Sequence, residues 1–264
     1  MRAPTDQDAQ FAREQLAGGC DRMERLLHGL LDSRGRIAEE VHATRKLGKS
    51  LRGGFALFGL GKNSSREVQA IGRLLSGPRD AVSRLSTWKK VAWDDDAVAA
   101  AAIGTLLEQQ THSAARKPPL ETITWCVGRV NAARRNLEEL SPESLGERIA
   151  HGLRKLDKQV LKRCRSLDHS GKEDFHDARK ALKAYLGALG FMPEGLITLD
   201  PKVAELPELL GDENDLATLS EWLESHGFTA ELVPGLWTKL KELRNRLRSE
   251  VIHDIEQLLS QRGD

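Results

Sequence analysis

The chain has 264 residues, of which 30% are charged and only 5% aromatic, and its formal net charge is +1. This composition favours packed amphipathic helices over a β-rich fold. The near-neutral total hides local charge, since the segment 148–165 is strongly basic and 194–224 strongly acidic. Cys20, Cys126 and Cys164 lack any pair spacing, so we expect no disulfide framework and no zinc site, but buried thiols in a reducing compartment.

Apolar residues recur at helical spacing almost throughout, and no segment alternates with period two, so we predict an all-α fold. The predicted helices cover about residues 8–31, 39–58, 64–88, 95–111, 120–140, 142–167, 173–192, 201–227 and 229–259. Ser64 and Glu67 have the spacing of a capping box, and Asp200 precedes Pro201 as an N-cap. A break is expected at Gly77-Pro78. The longest apolar run, 97–107, is too short to span a bilayer.

One stretch of the chain returns in altered form further along. The first copy is EEVHATRKLGKSLRGGFALF, residues 39–58, and the second copy is EDFHDARKALKAYLGALGFM, residues 173–192. The two histidines are 134 residues apart. Each copy is followed by a Leu-Leu pair with small and acidic residues, ending at Asp80 or Asp215, which lie 38 and 39 residues after their histidines. These landmarks predict a duplication. We expect a single domain, 1–264, of two similar antiparallel helical bundles, 8–140 and 141–260, related by a pseudo-twofold axis.

Basic residues form four rows on the predicted helices. The histidine helices carry the first row, His42, Arg45, Lys46, Lys49 and Arg52, and the second row, His176, Arg179, Lys180 and Lys183. The third row is His151, Lys155, Lys158, Lys162 and Arg165, and the fourth is Lys241, Arg244 and Arg248. Steps of mostly three and four residues place each row on one side of its helix. If the duplication brings corresponding helices together, these rows line one shared groove.

Such a groove suits a linear polyanion. Arginine meets two phosphate oxygens with a planar fork, and lysine supplies a compact charge, so rows of both fit a repeating phosphate chain. A histidine at the head of a row donates a hydrogen bond when neutral and adds charge when protonated, so affinity is expected to rise as pH falls. Few aromatic residues lie between the basic ones, which favours bare phosphate over single-stranded nucleic acid.

The doubled motif resembles the CHAD family, the conserved histidine α-helical domains, over about residues 11–259. The resemblance rests on VHATRKLGKSLRGGFALF with its LLSGPRD element and on FHDARKALKAYLGALGF with its LLGDENDL element. The resemblance implies two similar helical bundles whose basic central surface binds inorganic polyphosphate, often at polyphosphate granules, and no established catalysis. It points to the first two basic rows as the contacts. Two positions depart from the first copy: Leu186 matches Arg52, and Asn214 matches Arg79.

Family members are often joined to a CYTH triphosphate-tunnel domain, but its E-x-E-x-K motif is not found, so we expect the binding module alone. No Walker-type loop, Ser-His-Asp order or catalytic carboxylate pair is present, and we expect no enzyme, no cofactor and no metal site. The polar N-terminal segment has no signal-peptide features, and we expect a soluble cytoplasmic protein without a membrane partner.

Three other interpretations remain open. The histidines could be core residues and the basic rows solvated helix faces. A histidine phosphotransfer bundle would use one exposed helical histidine as a nucleophile, and a nucleic-acid-binding helical protein would also need basic surfaces. The acidic residues Asp212, Glu213 and Asp215 fit no calcium loop, and we expect them to provide surface charge or salt bridges to the basic rows.

Overall fold

The computed structural model describes residues 2–32, 36–114, 116–167 and 172–261. Within these ranges the chain forms ten α-helices and no β-strand, which confirms the all-α prediction. The helices are α1 (Asp6–Asp32), α2 (Ile37–Leu57), α3 (Ser64–Leu74), α4 (Ser76–Val91), α5 (Ala97–Ala114), α6 (Leu120–Glu138), α7 (Leu145–Arg165), α8 (Lys172–Leu189), α9 (Pro201–Ser225) and α10 (Pro234–Gln261). The predicted breaks at 33–35 and 169–171 lie outside the described residues.

Two predicted helix starts and one predicted break can be compared with the structure. Asp200 caps α9 as expected, its carboxylate accepting a hydrogen bond from the Lys202 backbone N–H at 2.9 Å. The break in the third predicted helix falls at Leu75 rather than at Gly77-Pro78. Pro78 then lies in the first turn of α4, where a missing N–H costs no helical hydrogen bond. The last helix begins at Pro234 for the same reason.

The predicted capping box at the start of α3 is wrong. Ser64 is the first residue of the helix, and its hydroxyl donates to the Ala133 carbonyl of α6 at 3.1 Å. Glu67 accepts a hydrogen bond from Arg129, also of α6, at 2.7 Å. Tertiary partners on α6 therefore use both groups that the capping box would need, and the preceding Asn63 makes no side-chain cap.

The described helices form two compact units, each made from separate stretches of chain. The first unit comprises Met1–Arg79, Arg116–Lys162 and Lys180–Leu199, with a core that includes Leu16, Phe55 and Phe58. The second unit comprises Asp80–Ala115, Arg163–Arg179 and Asp200–Asp264, with a core that includes Trp88 and Trp222. Each unit contains residues from both sides of position 141. The duplication into bundles 8–140 and 141–260 stays a prediction.

Inside the first unit, α2 and the later part of α8 pack closely through small residues. A Cβ atom on Gly53 would lie 2.7 Å from the Ala188 backbone nitrogen and would also meet the Ala184 carbonyl. A Cβ atom on Gly187 would lie 2.9 Å from Ser50 Cα. Real Cβ atoms do not approach backbone atoms this closely, so the absence of a side chain at both glycines permits the contact.

The three cysteines are buried and free, as predicted. Burial raises the pKa of Cys20 to about 12 and that of Cys126 to about 11. Both thiols therefore remain protonated at neutral pH and act as small apolar core groups. Among the described residues, none of the helices combines the length and the apolar character needed to cross a membrane.

Candidate functional site

A cavity of about 240 Å³ lies between α2 and α3 in the first unit. Four cationic side chains line this α2–α3 cavity: Arg45, Lys49 and Arg52 from α2, and Arg73 from α3. The rest of its lining is apolar or uncharged, with Met23, Thr44, Gly48, Val68, Gln69, Ile71, Gly72 and Ser76, and it contains no acidic side chain. The cavity therefore concentrates positive charge against a partly apolar wall, which strengthens its attraction for an anion.

The helical repeat explains why α2 presents three cations to one space. Arg45, Lys49 and Arg52 are separated by four and three residues, so they lie on the same face of the helix. The neighbouring α3 can approach because Gly48 has no side chain, and a Cβ there would lie 3.3 Å from Val68 Cγ1. The Ser65 hydroxyl fixes this contact by donating to the Arg52 carbonyl at 3.0 Å.

Arg45 is oriented by the segment that follows α3. Its Nη1 atom donates to the Ser76 carbonyl at 3.0 Å, and the side chain is half-buried. This hydrogen bond fixes the position of the guanidinium group. Ser76 also lines the cavity, which places the guanidinium group at its edge.

Arg52 brings a buried donor atom to the α2–α3 cavity. Its Nε atom is buried and has no hydrogen-bond partner in the structure. Burial lowers the pKa of Arg52, and the nearby positive charge of Arg73 lowers it further. Burying a charged group without a partner costs free energy, and an anion in the cavity would offset that cost for Arg52. It would also reduce the repulsion between Arg52 and the exposed Arg73.

His42 and Lys46 of the first row are exposed and do not line the cavity. The first row is therefore split by the fold. Arg45, Lys49 and Arg52 meet in one cavity, whereas the remaining two residues point to the surrounding surface.

The second row is also divided. His176 of the second unit is exposed, and its Nδ1 atom donates to the Asn214 side-chain oxygen at 2.7 Å. Arg179 is half-buried and packs on Gly211, where a Cβ atom would lie 3.6 Å from its Nη2 atom. Lys180 is exposed and Lys183 half-buried, and both belong to the first unit.

The third row occupies the outer face of α7. All five of its members are exposed: His151, Lys155, Lys158, Lys162 and Arg165. His151 and Lys155 line a cleft against the segment that joins α2 to α3, whereas Lys158 and Lys162 do not. The row therefore divides into a part that faces other elements and a part that faces solvent.

The fourth row is tied to the acidic segment of α9. Arg244 and Arg248 both donate to Oε1 of the buried Glu213, at 2.8 and 2.9 Å. The Arg248 guanidinium also stacks on the Phe175 ring, 4.9 Å from its centroid. The expected salt bridge between the acidic segment and a basic row is thus confirmed here. Lys241 is exposed. Phosphate contact by this row stays a prediction.

Sequence reasoning missed two cations. Arg73 belongs to no repeated motif and reaches the cavity only because α3 folds back along α2. Its spacing from Gln69 and Ser76, four and three residues, is the signal that could have placed it on the same face. Arg84 of α4 has a buried Nε atom without a hydrogen-bond partner. Burial lowers its pKa, and the charge of Asp80 acts in the opposite direction.

The sequence of the chain matches a known domain family. The sequence model of the CHAD domain matches residues 14–224, which is more than half of the chain. The chain therefore belongs to the CHAD domain family, as its doubled motif indicated.

Two solved structures share the fold. The crystal structure of the CHAD domain from the plant Ricinus communis is similar with a TM-score of 0.67 at 18% identity, covering 97% of this chain and 93% of that one. PptA from Streptomyces chartreusis is similar with a TM-score of 0.55 at 12% identity, covering 96% of each chain. Identities this low concern the fold alone. No curated protein matches the sequence.

Proposed function

We propose that this protein is a binding module for inorganic polyphosphate and that it acts by binding rather than by catalysis. The observation that carries the proposal is the set of four cations in the α2–α3 cavity, which has no acidic residue in its lining. The buried Nε atom of Arg52 strengthens it, because this group lies near a second arginine and has no hydrogen-bond partner.

The chemistry of the cavity favours phosphate over other anions. Arginine forks bind pairs of phosphate oxygens, and Lys49 adds a point charge one helical turn from each of two arginines. No aromatic side chain lines the cavity, so a nucleic-acid base would find no stacking partner there. A linear chain of phosphates needs only repeated cations, and the exposed members of the first row, His42 and Lys46, would extend its path.

The second histidine helix supports the same function. Its later part packs directly on α2 through Gly53 and Gly187, so Lys183 lies on a helix next to the one that carries the cavity cations. We therefore include Lys180 and Lys183, the members of the second row that belong to the first unit, in the proposed surface. Phosphate contact by His176 and Arg179 stays a prediction. Localisation in the cytoplasm belongs to the same proposal, as does the association with polyphosphate granules that the family resemblance implies.

The proposal is tested by removing two cavity cations. Arg45→Ala combined with Lys49→Ala should weaken binding of long-chain polyphosphate by more than about tenfold, since each charge-assisted hydrogen bond contributes roughly 1.5–3 kcal/mol. Isothermal titration calorimetry measures the affinity, and far-ultraviolet circular dichroism checks that the helical signal is unchanged. A double variant that binds like the unaltered protein would exclude the cavity as the site.

A control variant separates a local site from general charge attraction. Arg66→Ala with Arg154→Ala also removes two positive charges, but both residues are exposed and neither lines the cavity. We expect this control to bind polyphosphate within about twofold of the unaltered protein at physiological ionic strength, where distant surface charges are screened. Equal loss in both variants would indicate nonspecific attraction. Formation of acid-labile phosphohistidine from a phosphodonor would instead support phosphotransfer by an exposed helical histidine such as His176.

A further inference from the structure

A second cationic cleft lies in the first unit, on the far side of Arg52 along α2. Its volume is about 870 Å³, and it lies between α7 and the segment 59–63 that joins α2 to α3. Lys62 of that segment and Arg148, His151 and Lys155 of α7 line this α7 cleft. One acidic residue, Glu147, is also in the lining, so basic residues outnumber acidic ones.

The two walls of the α7 cleft are held together by close packing. A Cβ atom on Gly152 would lie 2.9 Å from Leu57 Cα and would also meet the Leu57 carbonyl, so α7 contacts the end of α2 without an intervening side chain. Gly59 begins the joining segment with a φ of +76°, a conformation that favours glycine. Arg148 Nη1 lies 3.4 Å from the Phe58 carbonyl oxygen and donates to it. These contacts hold α7 against the joining segment, and both elements line one space.

Side-chain cations, rather than backbone groups, must supply the attraction in this cleft. The first turn of α3 begins at its edge, but the backbone N–H groups there already have partners. Ser65 donates to the Leu60 carbonyl at 3.3 Å, and Arg66 and Glu67 donate to the Asn63 carbonyl at 2.9 and 3.3 Å. The helix start therefore offers few free donors, whereas the lysine, arginine and histidine side chains are exposed.

We propose that the α7 cleft is a second anion site, separate from the α2–α3 cavity, which takes a compact phosphoryl anion such as pyrophosphate or tripolyphosphate. Lys62 and Lys155 supply point charges from opposite walls, Arg148 supplies the guanidinium donors not used by Phe58, and His151 supplies a ring N–H. No Phe, Tyr or Trp side chain lines the cleft, so a nucleotide base would find only the His151 ring to stack on.

Tripolyphosphate is a suitable probe because it is too short to depend on the extended surface proposed for long chains. The Arg45→Ala, Lys49→Ala variant should keep one saturable tripolyphosphate site by calorimetry, because the α7 cleft is intact in it. Adding Lys62→Ala and Lys155→Ala should weaken that remaining binding by more than about tenfold. The control adds Arg66→Ala and Arg154→Ala instead, which remove one exposed cation from α3 and one from α7 outside the cleft. It should change the remaining affinity for tripolyphosphate by less than about twofold.

Backbone amide signals provide a second readout on the unaltered protein. Tripolyphosphate should shift the ¹H–¹⁵N signals of Gly59 and Gly61, which line the α7 cleft, in the same concentration range as the calorimetric site. Absence of these shifts, absence of binding to the Arg45→Ala, Lys49→Ala variant, or equal loss in the cleft and control variants would each overturn the second site. Failure of long chains to bind the α2–α3 cavity would not affect these results, so the two proposals are tested separately.

Discussion

Gly53 of α2 and Gly187 of α8 occupy reciprocal positions in the contact between the two histidine helices. Gly53 packs on Ala184 and Gly187 packs on Ser50, and both Gly53 with Gly187 and Ser50 with Ala184 are 134 residues apart. The two histidines have the same separation. Each glycine thus contacts the residue that corresponds to the other glycine's partner, and such reciprocal contacts are the pattern of a twofold interface. The contact therefore joins matching positions of the two motif copies, and the duplication itself stays a prediction.

The first prediction concerns this contact. Gly53→Ala should destabilise the protein by about 1–3 kcal/mol, because the new methyl group overlaps backbone atoms of α8 that cannot rotate away. Urea unfolding followed by circular dichroism measures the change. Gly128→Ala is the matched control, since a Cβ in that helix meets nothing within 4 Å. It should stabilise the protein by roughly 0.5–1 kcal/mol, and similar effects of both substitutions would argue against close packing at Gly53.

The second prediction separates binding from stability at Arg52. Arg52→Met removes a partly buried guanidinium group. Burial lowers the pKa of this group, and the positive charge of Arg73 lowers it further. The thermal unfolding midpoint should therefore be unchanged or higher, while affinity for polyphosphate falls by about tenfold or more. A lower midpoint with unchanged affinity would show that Arg52 stabilises the fold and takes no part in binding.

The third prediction concerns the buried ion pair of the second unit. Arg248→Ala should destabilise the protein by about 2–3 kcal/mol, because it removes one of the two guanidinium groups that compensate Glu213 and exposes the Phe175 ring. Lys241→Ala, an exposed member of the same row, should change stability by less than about 0.5 kcal/mol. Thermal unfolding of both variants measures the two changes in stability. Equal unfolding midpoints would mean that the ion pair between Arg248 and Glu213 contributes little to the stability of the protein.

The fourth prediction is a pH dependence at the start of α1. The Arg2 guanidinium, and after it the Thr5 backbone N–H, hold the pKa of Asp8 well below its ordinary value of 3.8. A lowered folded-state pKa contributes stability that is fully present above pH 3.8 and is lost as the pH falls toward the folded value. Asp8→Asn should therefore unfold at a lower temperature than the unaltered protein at pH 7.

The difference in unfolding temperature between Asp8→Asn and the unaltered protein should shrink as the pH is lowered below the ordinary pKa of the Asp8 carboxyl group. Unfolding midpoints measured from pH 7 down to pH 2 give the two curves. A difference that stays constant over the whole acid range would mean that the ionised carboxylate of Asp8 contributes nothing to the stability of the fold.

Helical periodicity was sufficient to predict the fold class and the face of α2 that carries Arg45, Lys49 and Arg52, since both depend on local spacing. The remaining cations depend on contacts between distant segments. Arg73 reaches the cavity through the packing of α3 on α2, and Lys62 reaches its cleft through α7.

Contacts between distant segments also explain two places where a local pattern did not predict the structure. The spacing of Ser64 and Glu67 was correct for a cap, but α6 offered partners that the sequence pattern could not reveal. Arg248 had the spacing of a surface row and is instead buried beside Glu213, because α10 packs on α9 at that position.

The most direct test of the central claim is a calorimetric titration of the unaltered protein with long-chain polyphosphate and with duplex DNA at equal charge concentration. At about 0.15 M salt, polyphosphate should bind tightly and saturably, DNA should bind much more weakly, and the affinity for polyphosphate should fall steeply as salt is raised, because several cations release counterions together. Equal affinity for both polymers, or no binding of polyphosphate, would contradict the proposal that this protein is a polyphosphate-binding module.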